Sequence, residues 1–352
     1  MTRVLLTFDW FLKYTAEQAV GLRANGAEVL VVCRDHLGEF GGDRAEWATL
    51  IEMMRSAGVE VHVIEGRVSS LRALRTAAAA RRRIGSWKPD IVHVHENLDP
   101  WLLLVSRGVP LVETIHDVQP HPGHPEHDIV RRNIGRAWRR LAKAYIVHGE
   151  KLRVDLRSRA GGRPIAVIPI GVKAAPAPDP IPEQQTILFL GRLEPYKGLH
   201  VLVEAMQEVW RARPDVVLVV AGRGPSAAEV PEHPKIRRLL RYVSEEEVDR
   251  LLAQATLVAA PYIEASQSAV VSLAVARGIP TVVTDQGSLA ELAPDPSLVV
   301  PAGDVSALAE SLLAHLDHGP ELRARVYEMA CGLSWTVVGK MSIAFYDELR
   351  EG

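Results

Sequence analysis

Short apolar runs rich in branched residues recur along the chain, separated by stretches whose apolar positions repeat at helical spacing. Alternation of this kind predicts parallel strands covered by crossover helices. In the first half, VLLTF (4–8), EVLVVC (28–33), VEVHVI (59–64), DIVHVH (90–95), PLVETI (110–115), AYIVH (144–148) and IAVIP (165–169) predict strands. TAEQAVGLRAN (15–25) and LRALRTAAAARRRIG (71–85) predict helices between them. The pattern stops after Pro169. GVKAAPAPDPIPEQQ (171–185) carries prolines at 176, 178, 180 and 182, which predict an extended, fairly stiff connector.

A second series begins with TILFLG (186–191), a helix over 199–213 and VVLVVAG (216–222). It continues through IRRLLRYV, ATLVAAPY and PTVVTD (280–285), each expected to lead into a helical stretch. A last helix, SWTVVGKMSIAFYDEL (334–349), is long enough, at about 1.5 Å per residue, to reach back to the first half. The expected fold class is therefore α/β, with two Rossmann-like, doubly wound parallel-sheet domains facing across a cleft. Residues 1–170 form the first, on the acceptor side, 171–185 the linker, 186–333 the second, and 334–352 the returning helix. Open α/β sheets bind ligands beyond the carboxyl ends of their strands, which places the expected site between the two domains.

Length and composition agree, since 352 residues exceed what one core usually serves and 47% are apolar against 24% charged. The longest apolar runs, such as VVLVVA (216–221), fall well short of the roughly 20 residues a membrane span needs. Asp9 interrupts the first apolar run too early for a signal-peptide core. Cys33 and Cys331 are expected to be buried free thiols, and the expected location is cytoplasmic. The net charge of −2 conceals a division: residues 1–170 hold 25 Lys and Arg against 19 Asp and Glu, whereas the remainder holds 16 against 24. A basic first half could attract an anionic acceptor or an acidic membrane surface, and RRNIGRAWRR (131–140) concentrates that charge. Peripheral membrane contact through helix 131–143 is one reading. The plainer one is a surface helix that buries Ile134, Ala137, Trp138 and Leu141 and leaves its arginines in water. No nucleic-acid partner is expected.

The most informative segment is GRLEPYKG (191–198), where a strand ends at Gly191 and a helix starts within a few residues. Free backbone N–H groups there, beside Arg192 and Lys197, suit two phosphates, although a surface turn with two cations has the same composition. AGRGP (221–225) repeats the strand–glycine pattern, and Gly222 and Gly224 would let a ligand approach the backbone. In PYIEASQSAVVSLAVARGIP (261–280), amides at Gln267, Ser268 and Ala269 would point at a ligand from a helix start. Glu264 could accept hydrogen bonds from sugar hydroxyls, or serve only as a helix N-terminal charge.

Together these segments resemble the retaining glycosyltransferases of the GT-B fold, family four, the glycogen-synthase-like and mannosyltransferase-like group. The likeness is strongest from Ile187 to Leu316, where GRLEPYKG, AGRGP, RYVSEEEVDRLLAQATLVAAPY, GIPTVVTDQGSLAEL and PAGDVSALAESL follow one another. The resemblance implies transfer of a hexose from a UDP- or GDP-sugar, with no metal and no cofactor beyond that co-substrate. It also implies that Arg192 and Lys197 bind the diphosphate, Glu264 and His116 contact the transferred sugar, and Tyr242 and Val243 lie against the base. HVHENLDP (93–100), ETIHD (113–117) and VIPIGV (167–172) resemble the first-domain motifs that line the cleft and close the domain.

The chain departs from the family in three places. Ser272 stands where a second glutamate usually holds the ribose, FDWFLKYTAEQ (8–18) lacks the usual glycines, and Ile170 replaces an asparagine. Lys13 and Tyr14 from that glycine-free segment, with His121 and His124 from HDVQPHPGHPEH, are expected on the acceptor side. The spacing of this histidine run fits no finger or helical metal motif. A nucleotide-sugar epimerase and a catalytically silent partner-binding protein on the same fold are the rival readings, and the acceptor is unidentified.

Overall fold

The structure is a computed structural model that describes the chain except residues 9, 41, 96–98, 107, 117–128 and 352, and omits the side chains of 129–132. The chain divides into two compact units, Met1–Gly171 with Trp335–Gly352, and Val172–Ser334.

In the first unit the branched runs form β1 (Arg3–Phe8), β2 (Glu28–Arg34), β3 (Glu60–Ile64), β4 (Ile91–His95), β5 (Leu111–Thr114), β6 (Ala142–Val147) and β7 (Ile165–Val167). All pairings are parallel, in the order β3-β2-β1-β4-β5-β6-β7, with Val4 in register between Val29 and Ile91. Successive side chains of a strand point to opposite faces, so each run feeds two cores at once. Val4, Leu6 and Phe8 pack with Val29, Val31 and Cys33 on one face. Leu5, Leu30, Val32, Val92 and Val94 pack with Ala73, Ala77, Ala80 and Trp138 on the other.

The helix Leu12–Ala24 starts three residues before the expected segment and packs against the last helix, Trp335–Glu351. Glycines set that crossing: a Cβ on Gly21 would lie 2.2 Å from the Trp335 carbonyl oxygen, and one on Gly339 would lie 2.5 Å from the Gly21 carbonyl oxygen. Val338, Phe345 and Tyr346 thereby enter the first unit's core. The helix Ile129–Leu141 buries Trp138 completely and leaves Arg136, Arg139 and Arg140 exposed, while Leu141, expected on the buried face, is 42% exposed.

The second unit holds β8 (Thr186–Leu190), β9 (Val217–Ala221), β10 (Ile236–Leu239), β11 (Leu257–Ala260), β12 (Thr281–Thr284) and β13 (Val299–Val300), all parallel in the order β10-β9-β8-β11-β12-β13. β8, β9, β11 and β12 are buried on both faces, as a sheet covered on each side requires, whereas the edge strand β10 exposes Arg237 and Arg238. The expected helix after PTVVTD is absent. Pro294 and Pro296 interrupt it, and two 3-10 turns, Ala290–Leu292 and Pro296–Leu298, lead into β13 instead.

The proline-rich connector lies along the second unit. Val172 bridges to Ser334, the Ala175 and Asp179 amides donate to the carbonyls of Ala276 and Arg277, and Asp179 pairs with Arg277 at 2.7 Å. The cysteines divide: Cys33 is buried in β2, whereas Cys331 is exposed, because its helix Pro320–Gly332 turns Leu322, Val326 and Ala330 inward instead. Gly339→Leu should overpack the helix crossing and destabilise the first unit by about 1–3 kcal/mol. Urea denaturation followed by tryptophan fluorescence measures this, and an unchanged midpoint would refute the packing argument.

Candidate functional site

Both strand orders reverse direction at one point, between β1 and β4 and between β8 and β11. Ligands of open α/β sheets bind beyond the carboxyl ends of the strands at such points. Each unit concentrates its unusual chemistry there.

In the second unit β8 ends at Gly191, and the turn after β9 presses on it. Gly222 adopts φ 144°, and a Cβ there would lie 1.7 Å from the Gly191 carbonyl oxygen, so no other residue fits. Backbone bonds from Gly191 to Ala221 and from Leu193 to Arg223, both 2.9 Å, lock the two turns together, and Gly224 leaves room for the Leu193 carbonyl. The chain then makes one 3-10 turn, Pro195–Lys197, and enters the helix Leu199–Ala212.

That turn carries Lys197 inward, where it is 8% exposed. Its Nζ donates to the Tyr262 hydroxyl at 2.9 Å and lies 4.4 Å from the centroid of the same ring. The Tyr262 hydroxyl is 3.1 Å from Ser268 Oγ. Ser268 caps the helix Ala269–Ala276 and accepts the Val271 amide at 3.3 Å. Lys197 Nζ and Val270 Cγ2 both stand 3.4 Å from where a Gly191 Cβ would be. Gly191, Lys197, Ser268 and Val270 therefore surround one spot, beside a helix start whose first amides have no partner within the helix. Among the described residues no carboxylate pairs with Lys197.

The other expected donor residues lie further out. Arg192 is exposed and donates to the Tyr196 hydroxyl at 3.3 Å. Glu264 and Ala269 are exposed and Gln267 is half-buried. The Tyr196 carbonyl holds the loop before Glu264 by accepting the Ile263 amide at 2.7 Å. Tyr242 is 63% exposed with the Arg223 guanidinium 5.8 Å from its ring, while Val243 packs inward. Ser272 is buried and donates its hydroxyl proton to the Ser268 carbonyl at 3.2 Å.

The first unit gathers histidines at its strand ends. His95 Nδ1 is 3.3 Å from His116 Nε2, and His116 Nδ1 is 3.2 Å from His148 Nε2. His148 Nδ1 donates to the Ile168 carbonyl at 2.9 Å, and His95 Nε2 is 2.8 Å from Gln18 Oε1. His93 bonds to the Tyr346 hydroxyl at 2.5 Å and to Thr114 Oγ1 at 2.6 Å. Burial pushes His93 down to about 3 and holds His95 and His116 well below the ordinary histidine range. Tyr14, half-buried, sets its ring against His95, His116, His148 and Trp335.

The glycine-free segment after β1 has its own solution. Phe11 takes the left-handed conformation, φ 70°, that a glycine would supply, and stacks on His116 with centroids 4.3 Å apart. The Glu39 carboxylate accepts the Leu12 amide at 2.7 Å and the Lys13 amide at 3.3 Å, so an internal anion occupies this helix start. Burial raises the Glu39 carboxyl, opposed by these two amide bonds. Lys13 pairs with Glu46 at 2.5 Å. His121 and His124 lie outside the described residues. Glu39, Gln18, His148 and Tyr262 were not among the expected site residues; His148 and Tyr262, each close to a strand end, left a positional signal.

Two family models match: "Glycosyltransferase Family 4" over residues 13–175 and "Glycosyl transferases group 1" over residues 184–318. The phosphatidyl-myo-inositol mannosyltransferase of Mycobacterium leprae is 29% identical over 356 residues, covering 87% of this chain and 93% of that protein. Among solved structures, sucrose-phosphate synthase from Thermosynechococcus elongatus superposes with a TM-score of 0.69 at 17% identity, covering 99% of each chain. Anabaena HepE in complex with UDP superposes with a TM-score of 0.66 at 15% identity, covering 99% of this chain and 100% of that one.

The buried imidazoles dictate a pH dependence of folding. Unfolded histidines take up protons near pH 6.5, whereas folded His93, His95 and His116 stay neutral, so the unfolded state binds more protons and stability falls as pH drops below that value. The loss should approach about 1.4 kcal/mol per pH unit for each ring that stays neutral. Glu39, shifted the opposite way, offsets one ring at most. Denaturant unfolding at pH 7.5, 6.0 and 5.0 checks this, and a flat profile would refute it.

Proposed function

We propose, for a chain that belongs to the family 4 glycosyltransferases of the GT-B fold and transfers sugar from a nucleotide-sugar donor, that Lys197 grips the donor diphosphate within the second unit. One observation carries this reading: the Lys197 ammonium is buried against a tyrosine, with no carboxylate paired to it among the described residues. A buried charge without a counter-charge is costly, and a phosphate would relieve that cost. Lysine has three donors, and Tyr262 uses one of them.

In the proposed reaction the glycosidic C–O bond to the diphosphate breaks while Lys197, Arg192 and the Ala269 and Val270 amides stabilise the charge growing on the leaving group. Tyr242 packs against the base, with Val243 beneath it. Gly191, Gly222 and Gly224 keep the approach clear, and Gln267 and Ser268 face the phosphates and sugar. Glu264 and His116 contact the transferred sugar, and the acceptor attacks the face just vacated, with retention. No covalent nucleophile is assigned. Ser272 has one hydroxyl for the ribose, after turning from the Ser268 carbonyl.

A hexose donor carried on GDP or UDP fits the mannosyltransferase relative and the UDP complex of the structural relative. No helix among the described residues is long and apolar enough to cross a membrane. The relative's name points to a lipid-linked acceptor, for which Arg136, Arg139 and Arg140 on the 131–143 helix offer an anionic membrane a peripheral contact.

Arg192→Ala and Lys197→Ala should each raise the barrier by about 2–4 kcal/mol. Tyr262→Phe should cost about 1 kcal/mol, because the ring remains under the ammonium. Donor hydrolysis with GDP-mannose and UDP-hexoses, paired with calorimetry using GDP and UDP, measures both. Unchanged rates together with no nucleotide heat would overturn the assignment.

A further inference from the structure

We propose that the turn after β12, residues 285–288, clamps the loop that carries Tyr262 and Ser268, which makes Thr284 and Gly287 positioning residues for the Lys197 site. The inference rests on the reading above for what binds beside Lys197, but its own evidence is geometry within the second unit.

The loop needs a hold from outside. Residues 261–268 form neither helix nor strand, yet Tyr262, Ser266 and Ser268 are buried. Buried carbonyls require donors, and an irregular segment has no ladder of its own to supply them. The sheet order sets where the donors come from. β11 lies between β8 and β12, parallel to both, so its exit loop runs between the exits of its two neighbours.

On the β8 side, the Ile263 amide donates to the Tyr196 carbonyl at 2.7 Å, and a Cβ on Gly198, at φ 68°, would lie 2.0 Å from the Pro261 carbonyl oxygen. On the β12 side three contacts follow one another. Thr284 Oγ1 donates to the Tyr262 carbonyl at 2.7 Å. Gly287, at φ 56°, comes so close that a Cβ there would stand 2.2 Å from the Ala265 carbonyl oxygen and 2.7 Å from that of Ser266. The Ser288 amide then donates to the Ser266 carbonyl at 3.1 Å.

The turn can act as a clamp because it is itself held. The Asp285 amide donates to the Val300 carbonyl at 3.1 Å, the Asp285 carboxylate accepts the Ala302 amide at 3.3 Å, and Leu289 is fully buried in the core. What the turn grips leads directly to the ammonium. Tyr262 bonds both Lys197 and Ser268, and Ser268 caps the helix Ala269–Ala276. A shift of the loop would therefore move the ring beneath Lys197 and the helix amides together.

Thr281 provides an internal comparison. It sits at the opposite end of β12, is buried like Thr284, and donates its hydroxyl proton to the Ile279 carbonyl at 3.3 Å, outside the loop.

The test pairs Thr284→Val with Thr281→Val in the full-length protein, each exchanging a buried hydroxyl for a methyl on one strand. Calorimetry with UDP and GDP should show affinity lowered about fivefold by Thr284→Val and unchanged by Thr281→Val. Gly287→Ala should lower it by about tenfold or more, since the loop must move to admit the methyl. Proton NMR of Lys197 gives a readout that needs no ligand. Its side-chain signals, assigned by their loss in Lys197→Ala, are displaced by the Tyr262 ring, whose centroid is 4.4 Å from Nζ. Thr284→Val should move those signals and Thr281→Val should not. Unmoved signals in a folded Thr284→Val protein overturn the clamp, as do equal changes in the two threonine variants. Wild-type affinity in Thr284→Val, where Lys197→Ala has lost it, also overturns the clamp. Affinity unaffected by Lys197→Ala removes the donor reading instead, and the Lys197 signals then decide the clamp alone.

Discussion

An ammonium kept out of water, with no carboxylate beside it among the described residues, is the constraint around which the second unit is arranged. Lys197 reaches that position because a 3-10 turn follows β8 directly, and the turn is possible because Gly191 and Gly222 let two backbones touch. Tyr262 supplies a ring face and one hydroxyl, which moderates the charge without cancelling it. Ser268 ties that hydroxyl to the start of a helix, so the lysine, the tyrosine and the helix amides hold fixed positions before any ligand arrives. Preorganised donors of this kind need no rearrangement when charge develops on a leaving group.

The first unit treats the corresponding helix start differently. The Glu39 carboxylate already covers the first amides of the Leu12–Ala24 helix, and Phe11 rather than a glycine makes the sharp turn that leads into it. A carboxylate in that place repels a second anion. The missing glycines are therefore part of a different local design, in which an aromatic ring is laid on His116 and the helix start is closed to phosphate.

Much of this was legible in the chain. Alternating branched runs locate most strands within one or two residues, because a strand buried on both faces must be apolar nearly throughout, although IRRLLRYV runs four residues past the end of β10 and the short β13 was not expected. GRLEPYKG and AGRGP show two glycine turns, since only glycine tolerates the backbone contact they make. Other features depend on partners distant in sequence. Glu39 lies 27 residues from the amide it caps, and Gln18 lies 77 from His95. Lys13 and Tyr14, expected on the acceptor side, gave no local sign that one pairs with Glu46 and that the other is set among histidines. The segment after PTVVTD read as a helical stretch, although the proline pair 294 and 296 was the signal against it.

The last helix has a consequence for biosynthesis. It completes the core of the first unit through Val338, Phe345 and Tyr346, and Tyr346 holds the ring of His93. Ribosomes deliver residues in order, so the first unit waits with an open flank while the whole of the second is made. During translation the exposed face of the Leu12–Ala24 helix would be a natural target for a chaperone. A frameshift that spared every strand but removed the final turns would leave the earliest-made part of the molecule the least finished.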